Sequence, residues 1–339
     1  MFPGRGLWHR RIRVAIHVAP ALGFLSAAEA HGKRDKRDRL CYGRPMTDPA
    51  AADPALENTP FDRRLRRDRA AWCAPADNPL LRRLGDDLIE RLDIVTRRFE
   101  RALDLGCGPG LLTAALRERG MAVTSADAGA VFAGAIGGTR CDEDRLPFEA
   151  GAFDLVVSAG TLDSVNDLPG ALIQIRRLLR PDGLFLGALA GAGSLPGLRR
   201  AMAAADEAEE RPASPRLHPQ IDLRAAGDLL ARAGFALPVV DAEPLTLRYP
   251  GLPQLVADLR ALGWTNLLSA RSRRPIGRVG YAAAQGAFAA GADPDGKVPE
   301  RLHIIHLSGW APSPDQPQPA RRGSATTSLA AALARRDAG

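Results

Sequence analysis

Between Arg101 and Ala190 short apolar runs alternate with amphipathic stretches, and that alternation limits the possible folds more than any other feature. "RALDL", "MAVTSAD", "FDLVVSAG" and "LFLGALA" read as strands, while "GLLTAALRERG" (ended by Gly120) and "DLPGALIQIRRLLRPDG" read as helices. In the second helix Leu168, Ala171, Leu172, Ile175, Leu178 and Leu179 recur at helical spacing. Asp167 is placed as its N-cap, and Pro181-Asp182-Gly183 as its stop. Near-continuous apolar strands separated by helices mean a parallel sheet covered on both faces, an α/β architecture. The unit at 128–140 is Gly-rich and short for a helix plus a strand.

Flanking segments organise the rest. "FDRRLRRDRAAW" and "PLLRRLGDDLIERLDIV" read as helices, the second with a stripe of Leu80, Leu81, Leu84, Leu88, Leu92 and Val95. Arg63, Arg64, Arg66, Arg67 and Arg69 are expected to form a solvated helix face. Residues 59–311 are read as one domain with a helical lead at 59–100 and helical interruptions at 192–220 and 249–298, and 312–339 as a flexible tail. Both interruptions follow strands that end at the carboxyl edge of a parallel sheet, so they are expected to roof whatever binds there.

Residues 1–45 hold ten Lys/Arg against three Asp/Glu, which carries the whole +7 net charge of the 339-residue chain. The neutral remainder argues against a nucleic-acid-binding face. The stretch "RRIRVAIHVAPALGFLSAAEA" has the outline of a secretory signal, but His17 and Pro20 interrupt its apolar run. Residues 1–58 are therefore read as a leader or disordered extension, with Met46 as an alternative start. No segment reaches 18 uninterrupted apolar residues, so no membrane span is expected, and a peripheral membrane contact stays open. Cys41, Cys73, Cys107 and Cys141 are too widely spaced for a disulfide framework or a zinc motif, which fits a reducing cytoplasm. His303 and His306 stand three apart on an expected strand, so they point to opposite faces, and His218 is isolated; no metal-ligand set is legible.

The chemistry concentrates in "DLGCGPG", which leaves the first strand of the alternation and enters a helix, the place where open α/β sheets bind nucleotides. A dinucleotide loop requires G-x-G-x-x-G. Here Gly106, Gly108 and Gly110 give G-x-G-x-G, and position 111 is leucine. Asp104 also disfavours a dinucleotide, because it would face two phosphates. It suits the ammonium of S-adenosylmethionine. Asp127, 21 residues after Gly106, ends the second strand, where an acid can hold both ribose hydroxyls. In "CDEDRLPF", Asp142 is expected to accept from an adenine amino group, with Leu146 and Phe148 walling the ring; Glu143 and Asp144 are expected to form a solvated acidic turn.

At "LDLGCGPG", "SAD", "DEDRLPF", "FDLVVS" and "LLRPDGLFL" the chain resembles the class I S-adenosylmethionine-dependent methyltransferases, over about 100–190. The resemblance implies a Rossmann-like seven-stranded sheet whose last strand is antiparallel, which suits "RLHIIHLSGW". It implies S-adenosyl-L-methionine as cofactor, and through its motifs adds Cys107 and Ser158 to the cofactor-binding residues.

A narrower resemblance extends over nearly the whole body. "FDRRL", "VNDLPGALIQIRRLLRPDGLFLGA", "SPRLHPQ", "LTLRYPG", "DLRALGWTN", "DPDGKVPERLHIIHLSGW" and "RRGSATTSL" are similar to the family of the mitochondrial complex I assembly factor, an arginine hydroxylase, and its bacterial relatives. This implies a complex I subunit as partner. A carrier-protein methyltransferase of biotin synthesis is a more distant relative. Where the narrower family reads Leu-His-Trp after "FDLVVS", this chain reads Leu162, Asp163, Ser164, on the acceptor side of the site. Three readings stay open here: modification of a protein arginine, a non-catalytic factor that binds the cofactor and a client subunit, and methylation of a small molecule or carrier protein. Methyl transfer is an in-line displacement governed by alignment, so no catalytic residue need be legible, and none is named.

Overall fold

The computed structural model describes residues 59–65 and 78–316. The expectations about the leader (1–58), Met46, Cys41, Cys73, Arg66, Arg67, Arg69 and the tail beyond 316 lie outside the described residues.

The first complete helix is α1 (Pro79–Asp93). Asn78 caps it, accepting from the Leu80 and Leu81 amides at 2.9 and 3.1 Å, and Pro79 fills the first turn where its missing N–H costs nothing. Its leucine stripe faces the sheet: Leu84 and Leu88 are each 1% exposed. Burying one such side chain contributes about 2 kcal/mol. The alternation then follows as β1 (Arg101–Leu105), α2 (Leu111–Glu118), β2 (Ala122–Asp127), α3 (Ala130–Ala135), β3 (Thr139–Arg140), β4 (Phe153–Ala159), a 3₁₀ turn (Leu162–Ser164), α4 (Leu168–Leu178) and β5 (Leu179–Ala190). Asp167 does cap α4, accepting from the Gly170 amide at 2.8 Å. The helix ends earlier than its apolar stripe suggests: Leu179 opens β5, and Pro181-Asp182-Gly183 belongs to that strand. As expected, the 128–140 unit is slight, with a six-residue helix and a two-residue strand.

After β5 come α5 (Pro196–Ala208), α6 (Leu223–Arg232), β6 (Ala236–Tyr249), α7 (Leu252–Ala261), α8 (Arg278–Ala289) and β7 (Val298–Trp310). The seven strands form one sheet in the order β3-β2-β1-β4-β5-β7-β6, parallel throughout except that β7 runs antiparallel to both neighbours. This is the Rossmann-like order with an antiparallel last strand. Strand order reverses between β1 and β4, and a crevice opens at the carboxyl ends of those two strands.

Alternate strand residues feed two cores. One joins α1, α2, α5, α7 and α8 to one face through residues such as Leu155, Leu186 and Ile304. The other joins α4 and α6 to the opposite face through Leu103, Val156, Phe185 and Ile305. Helix α5, in the first interruption, packs along α8 and against β7. The fully buried Glu300 of β7 accepts from the Gly197 and Leu198 amides at 3.0 and 2.8 Å, placing a carboxylate at the positive end of α5. That helix packs into the core through Ala201 and Ala205, lines none of the larger crevice, and turns Leu198 toward a smaller cleft beside it. His306 of β7 is 2% exposed, and burial pushes its imidazole down to about 4, so it is neutral at physiological pH.

Candidate functional site

The loop after β1 owes its shape to three left-handed glycines, with φ of 76° at Gly106, 49° at Gly108 and 87° at Gly110. The amides of Gly106 and Cys107 donate to the Ala126 carbonyl at 2.8 and 3.0 Å, tying the loop to β2. Asp127 completes the anchor. Its Oδ2 accepts from the Gly108 amide at 3.0 Å and its Oδ1 from the Gly129 amide at 2.7 Å. A Cβ on Gly106 would overlap the Thr161 side chain, whereas a Cβ on Gly108 would meet no atom within 4 Å. The second glycine therefore borders empty space.

That space is an open cleft of about 700 Å³, including the solvent at its mouth. Its floor is Gly106, Gly108, Pro109 and Asp127, with Phe132 of α3 on one side and Ala159, Gly160 and Thr161 at the end of β4 on the other. The roof comes from the second interruption: residues 261–264 and Leu267, together with His218 of the first. Trp264 Nε1 donates to the Gly160 carbonyl at 3.1 Å, and the Leu267 amide donates to His218 Nε2 at 3.1 Å. Phe61 meets the His218 ring edge-on at a centroid distance of 4.9 Å, and the Asp62 amide donates to the Leu267 carbonyl at 2.8 Å. The amino-terminal segment thus closes the roof. A second open cleft, of about 500 Å³ with the solvent at its mouth, is lined also by Leu198, Arg216 and Asn266 and shares Asp163, His218 and Trp264 with the first.

Asp104 lies behind the glycine loop, 1% exposed and outside the cleft lining. It accepts from the Thr113 hydroxyl at 2.7 Å, and burial pushes its carboxyl up to about 6. Cys107 is buried, and burial raises its thiol well above the ordinary range, so only its backbone belongs to the loop's chemistry. Cys141 is pushed up to about 12 by the same cause, and both described cysteines are free. Gly110, whose Cβ would stand 3.1 Å from Ile136, closes the turn into α2. Ser158 is fully buried within β4, its hydroxyl without a hydrogen-bond partner.

The acidic turn differs from expectation. Glu143 is fully buried and paired with Arg63, itself 5% exposed. Arg63 Nη2 also donates to Asp142 Oδ1 at 2.9 Å, and Nη1 to the Ser164 carbonyl at 2.7 Å. Asp144 accepts from the Asn166 and Asp167 amides at 3.1 and 3.0 Å. So Arg63 is not on a solvated face, Glu143 and Asp144 are not a solvated turn, and the Asp142 carboxylate is engaged by a guanidinium. The reason is long-range. An arginine from the amino-terminal segment reaches a carboxylate that could not otherwise be buried. Leu146 and Phe148 pack instead against the core under α4, Phe148 edge-on to Phe153 at 5.6 Å, and neither lines the cleft.

Residues 103–187 match the family model described as a methyltransferase domain. The mouse mitochondrial arginine-hydroxylase NDUFAF5 is 32% identical over 336 residues, covering 93% of this chain and 94% of that protein. The chain belongs to the S-adenosylmethionine-dependent methyltransferase superfamily, in the family of the NDUFAF5 arginine hydroxylases. The malonyl-[acyl-carrier protein] O-methyltransferase of Laribacter hongkongensis is 30% identical, covering 79% of this chain and 93% of that protein. Among solved structures, the YcgJ protein of Bacillus subtilis aligns with a TM-score of 0.46 at 15% identity, over 67% of this chain and 99% of that one. S-adenosylmethionine is the cofactor of this methyltransferase-superfamily enzyme.

The cleft fits such a cofactor by its own features. Gly108 leaves open the space that a side chain would fill, and Asp127 presents a carboxylate at the edge of β2. Phe132, Thr161, His218 and Trp264 border the cleft although the sequence marked none of them. Trp264 and His218 sit in stretches of family resemblance, "GWTN" and "LHPQ", but nothing in their local spacing told of a binding role.

Proposed function

We propose that this enzyme binds S-adenosylmethionine in the larger cleft and modifies an arginine side chain of a protein client, a complex I subunit, presented through the smaller one. The observation that carries the reading is the similarity to mouse NDUFAF5 over 94% of that protein's length. The junction of the clefts supports it. Asp163, on the 3₁₀ turn, borders both, and a carboxylate there suits a guanidinium.

In this reading Gly106 and Gly108 cradle the methionine end, Asp127 holds the ribose hydroxyls, and Phe132 lies against the adenine. Asp104, through the loop that it backs, favours the ammonium. Cys107 and Gly110 contribute backbone only. Asp142 and Leu146 act indirectly, by holding the 141–148 turn against Arg63 and Gln174. When bound, the cofactor supplies an electrophilic methyl group on a sulfonium. The chain's task is then to align an acceptor through the Asp163–Trp264 junction and to exclude water with the Trp264–Gly160 closure.

The test is peptide mass spectrometry of complex I subunits from cells with and without this gene. Loss of an oxygen from one arginine in the deletion strain supports hydroxylation, and loss of a methyl supports the fold's ordinary transfer. Unchanged peptides, with turnover of a malonyl carrier protein by the purified enzyme, would instead assign the chemistry named for the Laribacter relative. Unchanged peptides and no turnover would leave a binding role only.

A further inference from the structure

Outside both clefts, side chains of α1 meet those of β6 and β7 in a polar cluster whose Asp87 and His306 are buried. Arg83 Nε stands 3.0 Å from Asp87 Oδ1, and Arg83 Nη2 donates to Glu243 Oε1 at 2.6 Å. Arg91 forks onto Asp241 at 2.6 and 2.8 Å. Each carboxylate that Arg83 holds therefore turns its second oxygen inward. Asp87 Oδ2 and Glu243 Oε2 both lie 3.9 Å from His306 Nε2, too far for a hydrogen bond. His306 is 2% exposed, and neither of its ring nitrogens has a hydrogen-bond partner.

A buried imidazole with two orphaned nitrogens is costly unless something satisfies it. Water could reach the site from the open groove that Arg91, Asp241, His306 and Trp310 line. Yet the geometry is more specific than hydration requires. One atom each from Asp87, Glu243 and His306 lie within 4.8 Å of one another. With metal bonds of about 2.0–2.2 Å, tetrahedral ligand atoms stand roughly 3.3–3.6 Å apart. The Glu243 side chain, 41% exposed, can supply the small contraction by rotating.

We propose that Asp87, Glu243 and His306 form a divalent metal site, with Zn²⁺ as occupant, that pins α1 to the edge strand β6. The donor set selects the metal class. An imidazole with two carboxylates suits a borderline cation, whereas Ca²⁺ and Mg²⁺ prefer all-oxygen shells, and no thiolate is present to draw Cu(I). Three protein ligands leave a fourth position toward the groove for water. The ligands come from α1, β6 and β7, which explains why no ligand spacing is visible along the chain.

The experiment strips the purified full-length chain with a chelator and titrates it with Zn²⁺ by calorimetry, then with Co²⁺ followed by its visible absorption. The expected result is one equivalent of Zn²⁺, a four-coordinate Co²⁺ spectrum and a Tm that rises with Zn²⁺. His306→Gln and Glu243→Gln should each weaken binding at least tenfold while S-adenosylmethionine affinity stays unchanged, which reports an intact fold. Should His306→Gln fail to fold, the half-exposed Glu243→Gln carries the test alone. Substoichiometric Zn²⁺ binding by the parent chain, or equal binding by the variants, would overturn the proposal.

Discussion

The indole of Trp264 donates to the carbonyl of Gly160 at 3.1 Å, joining the second interruption to the end of β4 directly above the glycine loop. The bond spans 104 residues of sequence and is one of those that tie the roof to the sheet. Trp264→Phe keeps an aromatic roof and loses the bond, at a cost of about 1 kcal/mol. Trp264→Ala removes the roof itself. S-adenosylmethionine titrations should show a change of only a few fold for the first and at least tenfold for the second. Equal, small effects would mean that Trp264 only flanks the site.

Gly106 and Gly108 separate fold from binding. Alanine at Gly106 must both adopt a positive φ and displace Thr161, so denaturant unfolding should show a loss of about 2 kcal/mol or more. The Cβ that a valine adds at Gly108 meets no protein atom within 4 Å, although its backbone is strained there. It should leave a folded protein whose cofactor binding is abolished. Retained affinity in Gly108→Val would move the cofactor away from the loop.

Arg63 holds the fully buried Glu143. Arg63→Met strands that carboxylate, and breaking a buried pair in this way costs about 3–5 kcal/mol. Urea midpoints should fall accordingly, and Glu143→Gln added to Arg63→Met should recover part of the loss. Arg63→Lys keeps the charge but cannot also reach the Ser164 carbonyl and Asp142, so an intermediate loss is expected.

Asp104 predicts two opposite pH effects. Its folded carboxyl is raised to about 6, so the native state takes up a proton between the unfolded value and pH 6. Stability from this group is therefore greatest in acid, declines as pH rises toward 6, and is flat above it. Two units correspond to on the order of 3 kcal/mol, and Asp104→Asn should flatten that slope and stabilise the protein at pH 7. Cofactor binding runs the other way. If the charged carboxylate favours the ammonium, affinity should weaken up to about tenfold per unit below pH 6, and Asp104→Asn should bind weakly at every pH. A pH-independent affinity in the parent chain would remove Asp104 from the site.

The strand–helix alternation of 101–190 and the Asp167 cap are local properties, and they appear in the structure as the sequence reads apart from the end of α4. The place of Asp127 at the end of β2 was legible for the same reason: the end of an apolar strand sets its position along the chain. Packing decided the rest. Leu179 left the helix because β5 pairing claimed it, and Leu146 turned to the core beneath α4. Arg63 and Glu143 look like surface charges until a contact across 80 residues buries both. Asp87, Glu243 and His306 likewise become neighbours only when α1, β6 and β7 come together in the folded chain. Periodicity and backbone strain act over a few residues, so composition and spacing encode them. Which buried charge meets which partner is a property of the assembled sheet, and it exists only after the chain has folded.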